Sequence, residues 1–281
     1  QLCNLLEPRT AVYLSSTCNE LREPTQALLQ QLKADHEAAT ALCHKLGLRS
    51  CKELREAKTV DLYKKYLSAA DLATLGTLGS VLPALVHLTL AESSGSASHD
   101  GVQLLAEGLG AGALPAVTLL YLANMHVGDA GALALAAALG LGALPRLNFL
   151  SLTNAAIGDA GMVALAPALR LRPALANLYL YDNPFGDEGL AALVAPPWPA
   201  GTPPAGGLKN LEELDLDDTQ VSDAGCAALI AALDSGVLPP LELLELDTTS
   251  RASAAAKAAV HEALAKSKAE FCVLDALLEA F

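Results

Sequence analysis

Residues 117–131 read VTLLYLANMHVGDAG and residues 147–161 read LNFLSLTNAAIGDAG. An apolar frame (Val117, Leu120, Leu122; Leu147, Leu150, Leu152) is followed five residues on by Val127 or Ile157 and then Gly-Asp-Ala-Gly. The frame returns at Leu175-x-x-Leu178-x-Leu180, with Phe185, Gly186, Asp187 and Gly189. It returns again at Leu211-x-x-Leu214-x-Leu216, with Val221, Ser222, Asp223 and Gly225. Leu85-x-x-Leu88-x-Leu90 and Leu241-x-x-Leu244-x-Leu246 open two further copies, so successive starts lie 32, 30, 28, 36 and 30 residues apart. Such a period marks a stack of supersecondary units. The leucine frame reads as a short strand with its leucines turned inward. The runs 132–139, 162–169 and 226–233 are rich in Ala and Leu and read as helices whose small faces pack closely. Asp129, Asp159, Asp187 and Asp223 precede these helices, where a carboxylate caps free backbone N–H groups. Gly131, Gly161, Gly189 and Gly225 stand where space is tight. Each unit buries its faces only against its neighbours, which gives an α/β curved solenoid with a parallel concave sheet and convex helices.

In these residues the chain resembles the leucine-rich repeat family in its longer form, similar to ribonuclease inhibitor, across roughly residues 82–267. The resemblance implies a six-repeat solenoid that binds other proteins. One departure concerns the family's turn asparagine, three residues after the last strand leucine. Here that place holds Ser93, Met125, Ala155, Asn183, Thr219 and Thr249, so only Asn183 fits. The turns are expected to carry a weaker side-chain ladder, with helix packing holding the repeats. The run 196–204 (PPWPAGTPP) interrupts the fourth repeat and reads as a loop, as do residues 93–98. The sixth copy lacks the Gly-Asp turn and ends in Ala254–Ala265, which fits a terminal capping unit.

The chain has 281 residues and a formal net charge of -13. Its charge is uneven: residues 1–70 hold ten Lys/Arg and eight Asp/Glu, leaving eight basic and 23 acidic residues for 71–281. An acidic chain without clustered Lys and Arg is not built for nucleic acid. The uncharged run between Glu107 and Asp129 is long enough to span a bilayer, but it holds several glycines, Pro115 and Asn124 and crosses a repeat boundary, so membrane insertion is not expected. Six cysteines (Cys3, Cys18, Cys43, Cys51, Cys226, Cys272) form no CxxC pair, and no Asn-x-Ser/Thr sequon is present. This favours a reducing, intracellular compartment, with the cytoplasm expected. Cys43-His44 and Cys51 lack zinc-finger spacing. The chain opens at Gln1 rather than Met, which points to a fragment or processed product and leaves a removed targeting segment open.

Residues 1–70 stand outside the repeat and read as three or four short helices, with Thr59–Leu67 continuing towards the solenoid whose segment is 71–281. Pro8 and Pro24 mark helix starts or breaks. A helical cap over the first repeat is the plain reading. Residues 6–22 (LEPRTAVYLSSTCNELR) also resemble the second half of an F-box: an acidic-Pro turn, then a helix ending in Cys, two polar residues and Leu-Arg. That resemblance implies docking to a Skp-type adaptor and service as a substrate receptor of a cullin ubiquitin ligase. A structural subunit of a larger assembly is the third reading.

The outward strand positions build the candidate binding face. Its middle carries Leu119, Tyr121, Phe149, Tyr179 and Tyr181. Its carboxyl-terminal end carries Glu213, Asp215, Asp217, Glu245 and Asp247, with Glu212, Asp218 and Glu242 beside them. Aromatics are only 4% of the chain, so four on one face are informative. Tyr and Phe on a rigid sheet anchor interfaces, and an acidic field steers a basic partner. The expected partner is therefore a protein or peptide with an apolar anchor and a Lys/Arg-rich flank. No metal or cofactor is expected: residues 215–218 lack the glycine and bidentate Glu of a calcium loop. None of the six histidines lies in a nucleophile–base motif. The glycines at 108, 110 and 112 are not followed by Gly-Lys-Ser/Thr, so no catalysis is expected.

Overall fold

The computed structural model describes residues 22–91, 100–195, 207–239, 241–248 and 251–279. Seven three-residue strands form one sheet in chain order, every neighbour pair parallel. They are β1 (Thr59–Asp61), β2 (His87–Thr89), β3 (Leu119–Tyr121), β4 (Phe149–Ser151), β5 (Asn177–Tyr179), β6 (Glu213–Asp215) and β7 (Leu243–Glu245). The helices are α1 (Arg22–Leu46), α2 (Cys51–Glu56), α3 (Ala69–Leu78), α4 (Gly101–Gly108), α5 (Gly128–Gly140), α6 (Asp159–Arg170), α7 (Asp187–Val194), α8 (Asp223–Asp234) and α9 (Ala254–Glu279). From α3 onward each helix packs on the next. This is the expected α/β solenoid. The frame leucines are fully buried between sheet and helices, as are Val127, Ile157, Phe185 and Val221 where each turn closes over the core.

The amino-terminal expectation needs correcting. Thr59–Asp61 is a strand rather than helix, so the sheet has seven strands where six repeats were expected. Val60 pairs with Leu88 in register, and Val60 and Leu62 are buried like Leu88 and Leu90. The frame here is Ala57-x-x-Val60-x-Leu62, in which smaller residues replace the first two leucines. Among the described residues before it, the helices are two: α1 runs unbroken for 25 residues and α2 for six. No Gly or Pro falls between Pro24, in the first turn of α1, and Gly47 just past its end. Leu42, Cys43, Cys51 and Leu54 join one continuous core with Leu72 and Leu75 of α3, and Lys45 is paired with Asp71 across α1 and α3.

The turn carboxylates also act differently from the expectation. Asp129 Oδ1 accepts from the Gly158 N–H at 2.8 Å and the Gly161 N–H at 3.0 Å. Asp159 Oδ1 accepts from Gly186 and Gly189, both at 2.8 Å. Asp187 Oδ1 accepts from Ser222 and Gly225 at 2.8 and 2.9 Å, and Asp223 Oδ1 from Ser253 at 2.6 Å. Each carboxylate thus caps the helix of the following repeat, not its own, and the four form a staircase along the stack. The glycines follow from this: a Cβ on Gly161 would stand 2.5 Å from Asp129 Oδ1, and one on Gly225 2.5 Å from Asp187 Oδ1. Burial pushes the Asp187 carboxyl up, but hydrogen bonds from Ser222 and Gly225 outweigh it and hold it below the usual carboxylate range.

Asn183 does the work expected of the turn asparagine. It is 1% exposed. Its Oδ1 accepts from the Ala155 and Ile157 N–H groups at 3.2 and 3.0 Å, and its Nδ2 donates to the Leu152 and Leu180 carbonyls at 2.7 and 2.9 Å. At Met125 and Ala155 the same place is filled by buried apolar side chains. At the carboxyl end α9 packs on α8. Val260 and Leu264 are buried, and most described side chains around them are exposed or partly so.

Candidate interaction face

The strands alternate, so the residues flanking each buried leucine share the outer face of the sheet. Register fixes the rows. One runs His87, Leu119, Phe149, Asn177, Glu213, Leu243, and the next Thr89, Tyr121, Ser151, Tyr179, Asp215, Glu245. Leu119, Tyr121, Phe149 and Tyr179 are half-buried, and Tyr181 is 36% exposed. Phe149 and Tyr179, on adjacent strands, meet edge to face with centroids 5.1 Å apart and planes at 72°, a favourable aromatic arrangement. Ser151 lies between the two tyrosines of its row and is fully buried.

The aromatic pair leads directly into the acidic end. The Tyr179 hydroxyl donates to Glu213 Oε2. That bond, with burial and the charges of Glu213, Asp215 and Glu245, pushes the phenol up to about 12. Asp215, Asp217 and Glu245 each bring a carboxylate oxygen to within 4.8 Å of the other two. The first two are ordered by backbone: Asp215 Oδ1 accepts from the Asp217 N–H, and Asp217 Oδ1 from the Thr248 N–H, both at 3.0 Å. Burial first, then Glu245, Asp217 and Asp218, pushes the Asp215 carboxyl up to about 6 despite the Asp217 N–H that opposes it. Among the described residues no Lys or Arg forms an ion pair with this group. The three offer a cation three oxygens, fewer than the roughly six to eight that calcium takes. Asp247 stands apart, with its carboxylate 3.1 Å from His261 Nε2 and its carbonyl accepting from Lys257 Nζ.

The face therefore brings together Phe149, Tyr179 and Glu213, and separately Asp215, Asp217 and Glu245. Leu119 and Tyr121 continue the apolar side, and Tyr181 stands at the rim with Asp218 against its hydroxyl, which raises its pKa. The sequence reading missed the residues that β1 adds. Thr59 and Asp61 extend the two outward rows by one strand, and Tyr63 and Tyr66, which follow, are 49% and 69% exposed. The signal was the Ala57/Val60/Leu62 frame, 28 residues before Leu85. The glycines at 108–112 serve packing and turn geometry. A Cβ on Gly108 would meet the Gly76 backbone at 2.9 Å, and Gly112 has φ +70°.

Cys43, Cys51 and Cys226 are buried free thiols, with Cys43 and Cys51 Sγ atoms 3.9 Å apart. No described helix is long and apolar enough to cross a membrane. The F-box-like stretch lies outside the described residues apart from Arg22.

No curated protein matches the chain. Among solved structures, actin-binding site 2 of leiomodin-1 aligns at 15% identity with a TM-score of 0.36, over 54% of this chain and 97% of that one. A leucine-rich repeat family model matches residues 145–166 and 207–229, which are the β4–α6 and β6–α8 units. The repeat frame, the seven-stranded parallel sheet and these two matched stretches give the chain the fold of a leucine-rich repeat solenoid.

Proposed function

We propose that this protein is a non-catalytic interaction module that takes a protein or basic peptide on its concave face. The observation that carries the reading is the junction at β4–β6. There an edge-to-face aromatic pair adjoins carboxylates that have no basic counterpart among the described residues. Tyr is a favoured interface anchor, and like charges held this close are relieved by a cation from a partner. Residues 22–57 serve as the cap of the amino-terminal end of the stack. This moves the division between cap and solenoid from residue 70 to the start of β1.

The test is affinity capture from the native lysate with the full chain and with Tyr179→Ala/Asp215→Lys, read by mass spectrometry. The expected result is loss of the captured partners in the double variant. Retention of all of them would place binding elsewhere, on the convex helices or the cap. A parallel capture with a chain lacking residues 1–21 addresses the F-box resemblance. A Skp-type adaptor and cullin found only with the full chain would make the protein a ligase receptor.

A further inference from the structure

The concave face has a polarity that the sequence rows did not show, because the residues at its basic end belong to β1 and its turn. After five of the seven strands one residue adopts a left-handed backbone at an equivalent place. These residues are Lys64 (φ 57°), Asn124 (56°), Asn154 (49°), Asp182 (54°) and Asp218 (53°). The first four share a hydrogen bond to a carbonyl of the next described repeat unit: Lys64 N–H to Ala91 O, Asn124 to Thr153 O, Asn154 to Tyr181 O and Asp182 to Asp217 O, at 2.8–3.0 Å, while the Asp218 N–H donates to Thr248 Oγ1 at 3.1 Å. Asn and Asp tolerate this conformation, and Lys has no such preference. The row therefore runs from cationic through neutral amide to anionic along the stack.

The face beside the row is graded the same way. At the β1 end, Tyr63, Lys64, Lys65 and Tyr66 are all exposed, with Lys64 Nζ 4.6 Å from the Tyr63 ring centre. Neither lysine has an ion-pair partner among the described residues. The carboxylate of Asp61, the acidic residue of this strand, accepts from the Tyr63 N–H. The centre is apolar and the β6–β7 end is acidic.

We infer that the occupant of this face is an extended peptide segment of bipolar charge, with acidic side chains over the Tyr63–Tyr66 turn, an apolar side chain at Phe149 and Tyr179, and Lys or Arg over β6 and β7. This rests on the concave-face reading above and adds the partner's acidic end and its direction along the stack. At about 4.8 Å per strand, β1 and β6 lie roughly 24 Å apart, which an extended chain covers in about seven residues. A uniformly basic peptide satisfies only one end.

Selection of randomised ten-residue peptides displayed on phage, with the full chain as bait, tests this. Enriched peptides should carry Asp or Glu at one end, Lys or Arg at the other and Leu or Phe between. Lys64→Glu with Lys65→Glu should instead enrich peptides basic at both ends. It should weaken the originally selected peptides about three- to tenfold at low salt, the range of two exposed ion pairs. If that variant enriches the same peptides, or if nothing is enriched, the inference is overturned. Self-association of the chain that disappears in the same variant, with no peptide enriched, would put a second copy on the face and overturn it too. Tyr179→Ala/Asp215→Lys separates the two readings. Peptides that keep their affinity for it do not bind the concave face, and both readings fall. Peptides that lose affinity there but not with the lysine variant leave the concave-face reading standing alone.

Discussion

The middle of the solenoid and its amino-terminal end share one sheet and are held together differently. From β3 to β7 each repeat presents a carboxylate to the backbone of the next, and Asn183 adds a buried amide that ties two successive turns together. At the amino-terminal end the carboxylate turns inward. Asp71 closes a capping box with Ser68 on its own helix α3, and α4 has no side-chain cap. The α3–α4 contact relies instead on bare backbone: a Cβ on Gly76 would stand 2.4 Å from the Leu105 carbonyl oxygen. One repeat geometry thus accepts either polar bonds across the boundary or close helix approach.

The comparison breaks most sharply at Asn183. Asn183→Ala leaves two N–H groups and two carbonyls of a buried turn without partners, at roughly 1–3 kcal/mol for each buried unsatisfied group, part of it recovered by relaxation. A loss of about 3–4 kcal/mol is expected from urea unfolding. Thr219→Ala, whose hydroxyl donates only to Leu216 O, should cost far less.

Asp159→Ala comes next. It frees the N–H groups of Gly186 and Gly189, which are partly reachable by water, so about 2 kcal/mol is expected. Hydrogen exchange should locate the damage in the following repeat, at the Gly186 and Gly189 amides. Exchange that quickens at Gly161 instead would mean the carboxylate caps locally after all. Asp71→Ala should cost about 1–2 kcal/mol, because it removes the α3 cap and the exposed Lys45 pair, neither of which reaches α4.

The glycines give a smaller effect whose sign separates the two means of cohesion. Gly76→Ala should destabilise by roughly 1–2 kcal/mol, because the helices must part to admit the methyl group. Gly140→Ala, at the end of α5 with nothing within 4 Å of the added atom, should stabilise by about 0.5–1 kcal/mol through helix propensity. Thermal melts of the two variants check this directly.

These features were unequally legible in the sequence. The leucine frame and its period reveal the sheet wherever leucines are kept, because a buried strand of three residues needs the same apolar places in every copy. They fail at β1, where Ala57 and Val60 satisfy the burial but not the pattern. The Gly-Asp-x-Gly signature correctly marks a cap, yet it cannot say which helix is capped: local spacing favours the adjoining one, and only the stacking distance carries the carboxylate to the next. The aromatic–acidic face was readable because alternation and register follow from the frame. The approach of Glu245 to Asp215 and Asp217 depends on neighbouring strands and was not. The Lys64 end stayed hidden together with β1.

A further effect, of charge, lies on the face itself. Asp215 has a carboxyl raised to about 6, first by burial and then by its acidic neighbours. Its folded pKa lies above the ordinary carboxylate value, so the folded protein binds the proton more tightly than the unfolded chain. The ionised side chain therefore opposes folding at pH 7, and this opposition fades as pH falls through 6 towards 4. The rise to about 6 is nominally ~3 kcal/mol, but the side chain is partly exposed and screening reduces this to on the order of 1 kcal/mol. Asp215→Asn keeps an oxygen for the Asp217 N–H and removes the charge. It should raise stability by that amount at pH 7, a gain of about 2–4 °C in Tm, and change nothing at pH 4. The other end of the molecule has the opposite sign: burial raises the Asp71 carboxyl, but bonds from Lys45 and Ser68 outweigh it and hold it low. Asp71→Asn should thus cost stability at pH 7, and that cost should vanish as pH falls below about 4. Under the proposed concave-face reading, a basic partner would relieve this charge, which opposes folding at neutral pH. If Asp215→Asn instead destabilises at pH 7, the carboxylate belongs to the scaffold and the acidic end loses its claim to a partner.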